Sequence, residues 1–225
     1  MNLKKLTLNV ILLKNRSSLS NIFIKKFSKN IILPGGSTLI QIIKNIKDIK
    51  IKKFFLLTDE RLNFNSIKNL NSSNLKRLDK NKYFKIIMNK KFNSNQDIKK
   101  YFIKQFDGLN FSKSTLLYGM GTDGHICSLF NSKYKTKKYF IITRKKKEKF
   151  KRISISQNFI MRFDKKYLFV LGAKKAITFN DILINRIQSP IKIIVKKELN
   201  IICNKSFLKK IKSFSNNFKL KINYI

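Results

Sequence analysis

A short apolar run, Ser114–Tyr118, breaks into three glycines within six residues, Gly119, Gly121 and Gly124, in a chain that holds seven glycines in all. An apolar run of this length that ends in glycine reads as a buried strand. Glycine has no Cβ and tolerates positive φ, so such a cluster lets the backbone fold closely around something small. The same turn carries His125, the sole histidine of the protein, with Asp123 two residues before it. Imidazole is the side chain whose ordinary titration suits proton transfer near neutral pH. The bland alternative is a tight strand-to-helix turn with a hydrogen-bonded histidine. The dinucleotide fingerprint is excluded, because the third glycine falls too early for G-x-G-x-x-G.

The rest of the chain repeats the theme of a β run followed by a loop rich in glycine or charge. Leu6–Leu13 reads as a first strand and Ser17–Lys29 as a short helix with Leu19, Ile22, Phe23 and Phe27 at helical spacing. Asn30–Pro34 then runs into Gly35-Gly36-Ser37-Thr38 and an amphipathic helix over Leu39–Ile46. Strand, glycine turn and helix together offer free backbone N–H groups to an anion. Lys53–Thr58 ends in Asp59-Glu60-Arg61, where Arg61 can fork onto phosphate and Asp59 can accept from sugar hydroxyls. The loop that follows, rich in Asn and Ser and free of proline, is expected to be mobile. Further β runs are expected at Asn81–Met88, Tyr139–Thr143, Arg152–Ser156 and Tyr167–Leu171. Helices are expected at Ile98–Phe106 and from Gly172 to about Arg186. Lys145–Lys147 looks like a phosphate-attracting run but reads better as solvated surface. Alternation of strands and helices predicts an α/β fold, a mainly parallel sheet flanked by helices, in one domain over residues 1–225. The strand-end loops then collect at one sheet edge.

Composition removes several classes. The formal charge is +40, from 51 Lys and Arg against 11 Asp and Glu. Taken alone this suggests nucleic acid or an anionic membrane. The lysines are spread along the chain, however, and come with abundant Asn, Ile and Phe, all residues with AT-rich codons, so base composition accounts for them together. No specific nucleic-acid partner and no membrane partner is expected. Two cysteines, Cys127 and Cys203, and one histidine give neither a disulfide framework nor an ordinary zinc site, so no metal and no cofactor is expected. A reducing, cytoplasmic setting fits. The N-terminal apolar run lacks a small-residue cleavage site.

Gly119-Met-Gly-Thr-Asp-Gly-His-Ile-Cys-Ser-Leu-Phe130 resembles the signature Gly-x-Gly-x-Asp-Gly-His-x-Ala-Ser-Leu-Phe-Pro of the 6-phosphogluconolactonases, with Cys127 for the alanine and Asn131 for the proline. These enzymes share a superfamily with glucosamine-6-phosphate deaminases and ribose-5-phosphate isomerases. The likeness spans roughly residues 30–190. It includes Pro34-Gly-Gly-Ser-Thr38, Asp59-Glu60-Arg61, Arg152-Ile-Ser-Ile and Gly172-Ala-Lys-Lys-Ala176. Ser73-Asn74 stands about three residues later than the family's Ser-Asn, and the family's Trp-x-x-Asp survives only as Ile201-Ile-Cys-Asn204.

The resemblance implies the Rossmann-like fold of the phosphosugar isomerases and deaminases. It also implies a phosphosugar lactone as substrate, with His125 as general base and Asp123 orienting it. Gly35, Gly36, Ser37, Thr38, Asp59, Arg61, Gly121 and Lys175 would hold the sugar phosphate. Three other readings stay open: a deaminase or isomerase of the same superfamily, a basic nucleic-acid-binding protein, and a non-catalytic scaffold. Against the first, the deaminases continue Asp-Gly-His with Ile-Ala-Phe-Asn-Glu, whereas Ser128-Leu-Phe130 follows here.

Overall fold

A computed structural model of the chain describes residues 6–46, 49–78, 82–86, 92–130, 136–195 and 197–224. Among these, eight strands form one parallel sheet: β1 (Thr7–Leu13), β2 (Asn30–Leu33), β3 (Lys53–Leu57), β5 (Phe84–Ile86), β6 (Ser114–Gly119), β9 (Lys165–Val170), β10 (Glu198–Asn204) and β11 (Lys219–Tyr224). Their order is β11-β1-β10-β9-β6-β2-β3-β5. From β2 the chain works outward to β3 and β5. From β6 it works the other way, through β9 to β10. The direction of winding therefore reverses between β2 and β6, and the crevice at the carboxyl ends of those strands is where open α/β sheets take ligands. The α/β class and the parallel sheet expected from the sequence are what the structure has.

The helices α1 (Arg16–Lys25), α2 (Gly36–Ile46), α3 (Asn71–Leu75), α4 (Asn95–Lys104), α5 (Gln157–Met161), α6 (Ala173–Leu183), α7 (Ile191–Ile194) and α8 (Lys205–Lys212) fill the connections. Local signals fix their ends. Asn15 and Ser18 make a reciprocal capping box at the start of α1, and Ser94 caps α4. The helix after β9 stops at Leu183, short of the expected Arg186, because Asn185 takes a left-handed turn at φ 68°.

One expectation needs correction. Asp59-Glu60-Arg61 is not a loop. It is β4 (Asp59–Leu62), which leaves the parallel sheet and pairs antiparallel with β8 (Lys151–Ile155), itself paired with β7 (Phe140–Thr143). Gln105 at the end of α4 makes the exit possible. Its carboxamide accepts from the Leu57 N–H at 2.8 Å and donates to the Leu57 carbonyl at 3.1 Å, standing in for a neighbouring strand. Both backbone groups are buried and would otherwise be unpaired. The small sheet is pinned by an aromatic cluster in which Phe159 of α5 meets Phe106 at 4.9 Å, Phe111 at 5.1 Å and Phe140 of β7 at 5.4 Å. Each buried ring contributes about 1.5–3 kcal/mol by transfer from water, and edge-to-face pairs add to that.

The loop expected over this region, residues 63–75, contains helical turns. Leu70, Asn71, Ser72 and Leu75 are buried, and the stretch forms a short 3-10 segment followed by α3. Glu60 accepts from the N–H groups of Asn71 and Ser72 where the buried part begins. The β run expected at Asn81–Met88 is observed as Phe84–Ile86, and its ends lie outside the described residues. After Pro190 the sequence gives no family motif, yet β10 sits inside the sheet between β1 and β9, with Ile201, Ile202 and Cys203 fully buried.

Candidate active site

The loops after β2 and β6, the start of α6 and the small sheet enclose a cavity of about 530 Å³. This suits a small polar ligand. Every site residue expected from the sequence lines it: Gly35, Gly36, Ser37, Thr38, Asp59 and Arg61 from one half of the chain, and Gly121, Asp123, His125 and Lys175 from the other. Two cations not expected there, Lys145 and Arg152, line it as well. Lys145, read as solvated surface, comes from the β7–β8 loop, whose folding over the crevice is not visible in a run of lysines.

The glycine turn does not lead into a helix. Met120 and Leu129 each bridge to Ile126, so residues 120–130 curl into a compact loop. The Gly121 N–H donates to the His125 carbonyl at 2.8 Å, Ser189 donates to the Gly124 carbonyl at 2.5 Å and Thr178 of α6 to the Thr122 carbonyl at 3.1 Å. His125 Nδ1 bonds Asp123 Oδ1. That hydrogen bond, with the nearby charges of His125 and Lys145, holds the Asp123 carboxyl well below the usual range against the opposing effect of burial. An ionised carboxylate only accepts, so Nδ1 is the nitrogen that donates, and the neutral tautomer this pairing favours has its lone pair on Nε2. Gly121 is required by contact. A Cβ there would stand 2.3 Å from His125 Cε1 and Nδ1 and 2.4 Å from Asp123 Oδ1.

The anion side is built from backbone and cations. At the N-terminus of α2 the Gly36 N–H donates to Asn71 Oδ1 at 3.0 Å, while those of Ser37 and Thr38 carry no hydrogen bond among the described residues. Free N–H groups and the helix dipole favour negative charge there. Arg61 and Arg152 are directly opposed across β4 and β8. Like charges in that arrangement repel. Arg152 is offset by Glu148, at 2.6 and 2.9 Å, and stands 3.9 Å from Asp59. Arg61 bonds the Asn69 carbonyl, and its Nε is buried without a partner among the described residues. Burial lowers the Lys175 ammonium below its usual range, which a bound anion would counter.

Asp59 lies lower than a sugar-binding acid would. It is 3% exposed and accepts from Thr58 at 2.8 Å, Ser128 at 2.7 Å and Asn71 at 3.4 Å. Its carboxylate orders the floor of the cavity. Asn71 was missed by sequence reasoning, which looked to Asn74. It is the residue three positions earlier, and it joins the Gly35 loop to Asp59 by donating to the Asp59 carbonyl at 2.9 Å. Cys127 is buried at φ 51°, and burial together with the Asp59 charge pushes its thiol well up, which makes it a poor nucleophile. Burial likewise pushes Cys203 up to about 12.

Glu60 is fully buried and accepts from the N–H groups of Arg61 at 2.8 Å, Asn71 at 2.7 Å and Ser72 at 2.7 Å. Burial raises its carboxyl to about 7, although these three bonds favour the ionised form. The folded value exceeds the unfolded one, so the contribution of this group is complete below the ordinary Glu range and is lost as pH rises through about 7. A Glu60→Gln chain does not titrate at this position. The stability of the native chain relative to that variant, measured by urea unfolding, should fall by about 3 kcal/mol from about pH 4 to about pH 8. A difference that stays constant over that span contradicts a buried, titrating Glu60.

Among the described residues, no group of three His, Cys, Asp or Glu side chains is placed to hold a metal, and no helix is long and apolar enough to cross a membrane. Solved structures share the fold at low identity. The 6-phosphogluconolactonase of Plasmodium vivax superposes with a TM-score of 0.66 at 19% identity, over 92% of this chain and 94% of that one. That of Thermotoga maritima does so with 0.67 at 17%, over 88% and 100%. A monomeric glucosamine-6-phosphate deaminase gives 0.64 at 13%, over 90% and 99%. A comparison with curated protein sequences gives no match. The family model described as glucosamine-6-phosphate isomerases/6-phosphogluconolactonase matches residues 14–203, and on that match the chain belongs to this family.

Proposed function

We propose that this protein hydrolyses 6-phospho-D-glucono-1,5-lactone to 6-phosphogluconate, as a cytoplasmic enzyme of the oxidative pentose phosphate pathway. The observation that carries the reading is a single imidazole, oriented by an ionised carboxylate, in one cavity with a helix N-terminus and several cations. One base and one anion site are what a reactive phosphorylated ester requires.

In this mechanism the Ser37 and Thr38 amides, Arg61 and Lys175 hold the phosphate and orient the ring. His125 Nε2 takes a proton from water as the water oxygen bonds to the lactone carbonyl carbon. The tetrahedral intermediate collapses, the bond from that carbon to the ring oxygen breaks, and the proton on His125 passes to the departing ring oxygen. Asp123 keeps the imidazole in the reactive tautomer. No covalent enzyme intermediate is needed, in keeping with the unreactive Cys127 thiol.

A deaminase reading is kept as the alternative because a deaminase shares the fold. The cavity speaks for hydrolysis. Its carboxylates among the described residues are Asp59 and Asp123, and the first is saturated by internal donors. A coupled assay with freshly made lactone, corrected for spontaneous opening, tests the proposal. Ammonia release from glucosamine 6-phosphate without lactone hydrolysis would replace it.

Arg61→Ala and Lys175→Ala should each raise KM for the phosphorylated lactone, through loss of a charge-assisted contact of roughly 1.5–3 kcal/mol. KM for the unphosphorylated lactone should not change. An equal response of the two lactones would remove both residues from the phosphate site.

A further inference from the structure

The Asp123 carboxylate has a partner on each oxygen. Oδ1 takes the His125 Nδ1–H, and Oδ2 lies 3.1 Å from the ammonium of Lys145. Lys145 belongs to the loop between β7 and β8 and so reaches Asp123 from a different sheet than the glycine turn. The Lys145 and Asp123 side chains are 42% and 46% exposed. The Phe130 ring lies beside both partners, 5.1 Å from the imidazole and 5.9 Å from Lys145 Nζ.

A carboxylate on Nδ1–H raises the proton affinity of Nε2, because it stabilises the imidazolium. A cation on the far oxygen cancels part of that charge. The base therefore works against a carboxylate that is shared. We propose that Lys145 is a positioning residue that sets the strength of His125 as a base through Asp123, so that the small sheet tunes proton transfer in the glycine turn. This rests on the reading of His125 as the general base. The other charged or titratable groups around the cavity are Arg61 and Arg152 from the small sheet, Lys175 from α6, and Asp59 and Cys127 at its floor. Arg152 is held by Glu148, and Asp59 is held by its own donors. Among the described residues, Lys145 is the cation paired with Asp123.

Because the protein has one histidine, the test is direct. The imidazole ¹H and ¹⁵N signals of the native chain, Lys145→Met, Lys145→Gln and Lys145→Arg can each be followed against pH by NMR. The titration midpoint should rise by roughly 0.2–0.7 pH unit in Lys145→Met and Lys145→Gln, the size a half-exposed ion pair supports. It should return toward the native value in Lys145→Arg. The acid limb of the kcat/KM profile for lactone hydrolysis, which reports the free enzyme, should move by the same amount in the same direction. A midpoint that stays put or falls in both neutral variants overturns the proposal, and so does a shift that Lys145→Arg does not reverse. The NMR readout needs no turnover. If the midpoint moves as expected and no lactone is hydrolysed, the tuning stands and the lactonase reading fails.

Discussion

Replacing His125 with alanine is expected to lower the lactone hydrolysis rate by about 100-fold or more. The loss should fall on kcat. The phosphate-binding groups come from the Gly35 loop, β4 and α6, none of which depends on the imidazole. Binding of a non-reacting phosphosugar, followed by calorimetry, should therefore change little. His125 is partly exposed at the surface of the cavity, so its removal leaves no large void in the core. Near-normal turnover by the folded variant would show that the proton is taken elsewhere.

Gly121→Ala should be nearly as damaging, by a different route. The added methyl would stand 2.3–2.4 Å from the imidazole and the Asp123 carboxylate. Both are side-chain atoms at the cavity, so they can swing aside and the fold should survive. The His125–Asp123 pair should not. Displacing a catalytic group by about 1 Å can cost on the order of 100-fold. Circular dichroism and thermal unfolding should stay close to native while kcat falls. If Gly121→Ala turns over normally, the geometry of the pair does not govern the rate.

The glycine turn, the Gly35 loop, Arg61 and Lys175 were legible because each carries a local signal: a glycine cluster, a strand that ends in charge, or a lysine at a helix start. Their convergence followed from parallel-sheet topology. The small antiparallel sheet was not legible. Its strands look like any other β run, and the place where the chain leaves the large sheet is marked by Gln105, which closes β3 from a distant helix. The places of Lys145 and Arg152 in the site were missed for the same reason, since a cation among so many gains meaning only when a second sheet folds it over the crevice. The Asn and Ser content of residues 63–75 hid the short helix there, because composition cannot register that a buried Glu60 takes the N–H groups of Asn71 and Ser72. Strand β10 offered the usual apolar run, but without a motif to draw notice it went unassigned.

Asn71 has consequences for how such a chain can change over generations. Its side chain accepts from Gly36 and donates to the backbone of Asp59, and its own N–H is held by Glu60. A Cβ on Gly35 would stand 2.1 Å from its Nδ2. Aspartate would lose the donor, leucine would lose both functions, and glutamine would be too long for the space. Asn71 thus ties two distant segments together, and Gly35 and Asn71 constrain each other directly, since a side chain at the first would collide with the carboxamide of the second. Between β4 and Asn71 the ties are fewer: the Asn69 carbonyl bonds Arg61 and Leu70 is buried, while Asn65 and Lys68 are exposed. Insertions and deletions can accumulate there, while the asparagine keeps its place in space and loses its place in the count.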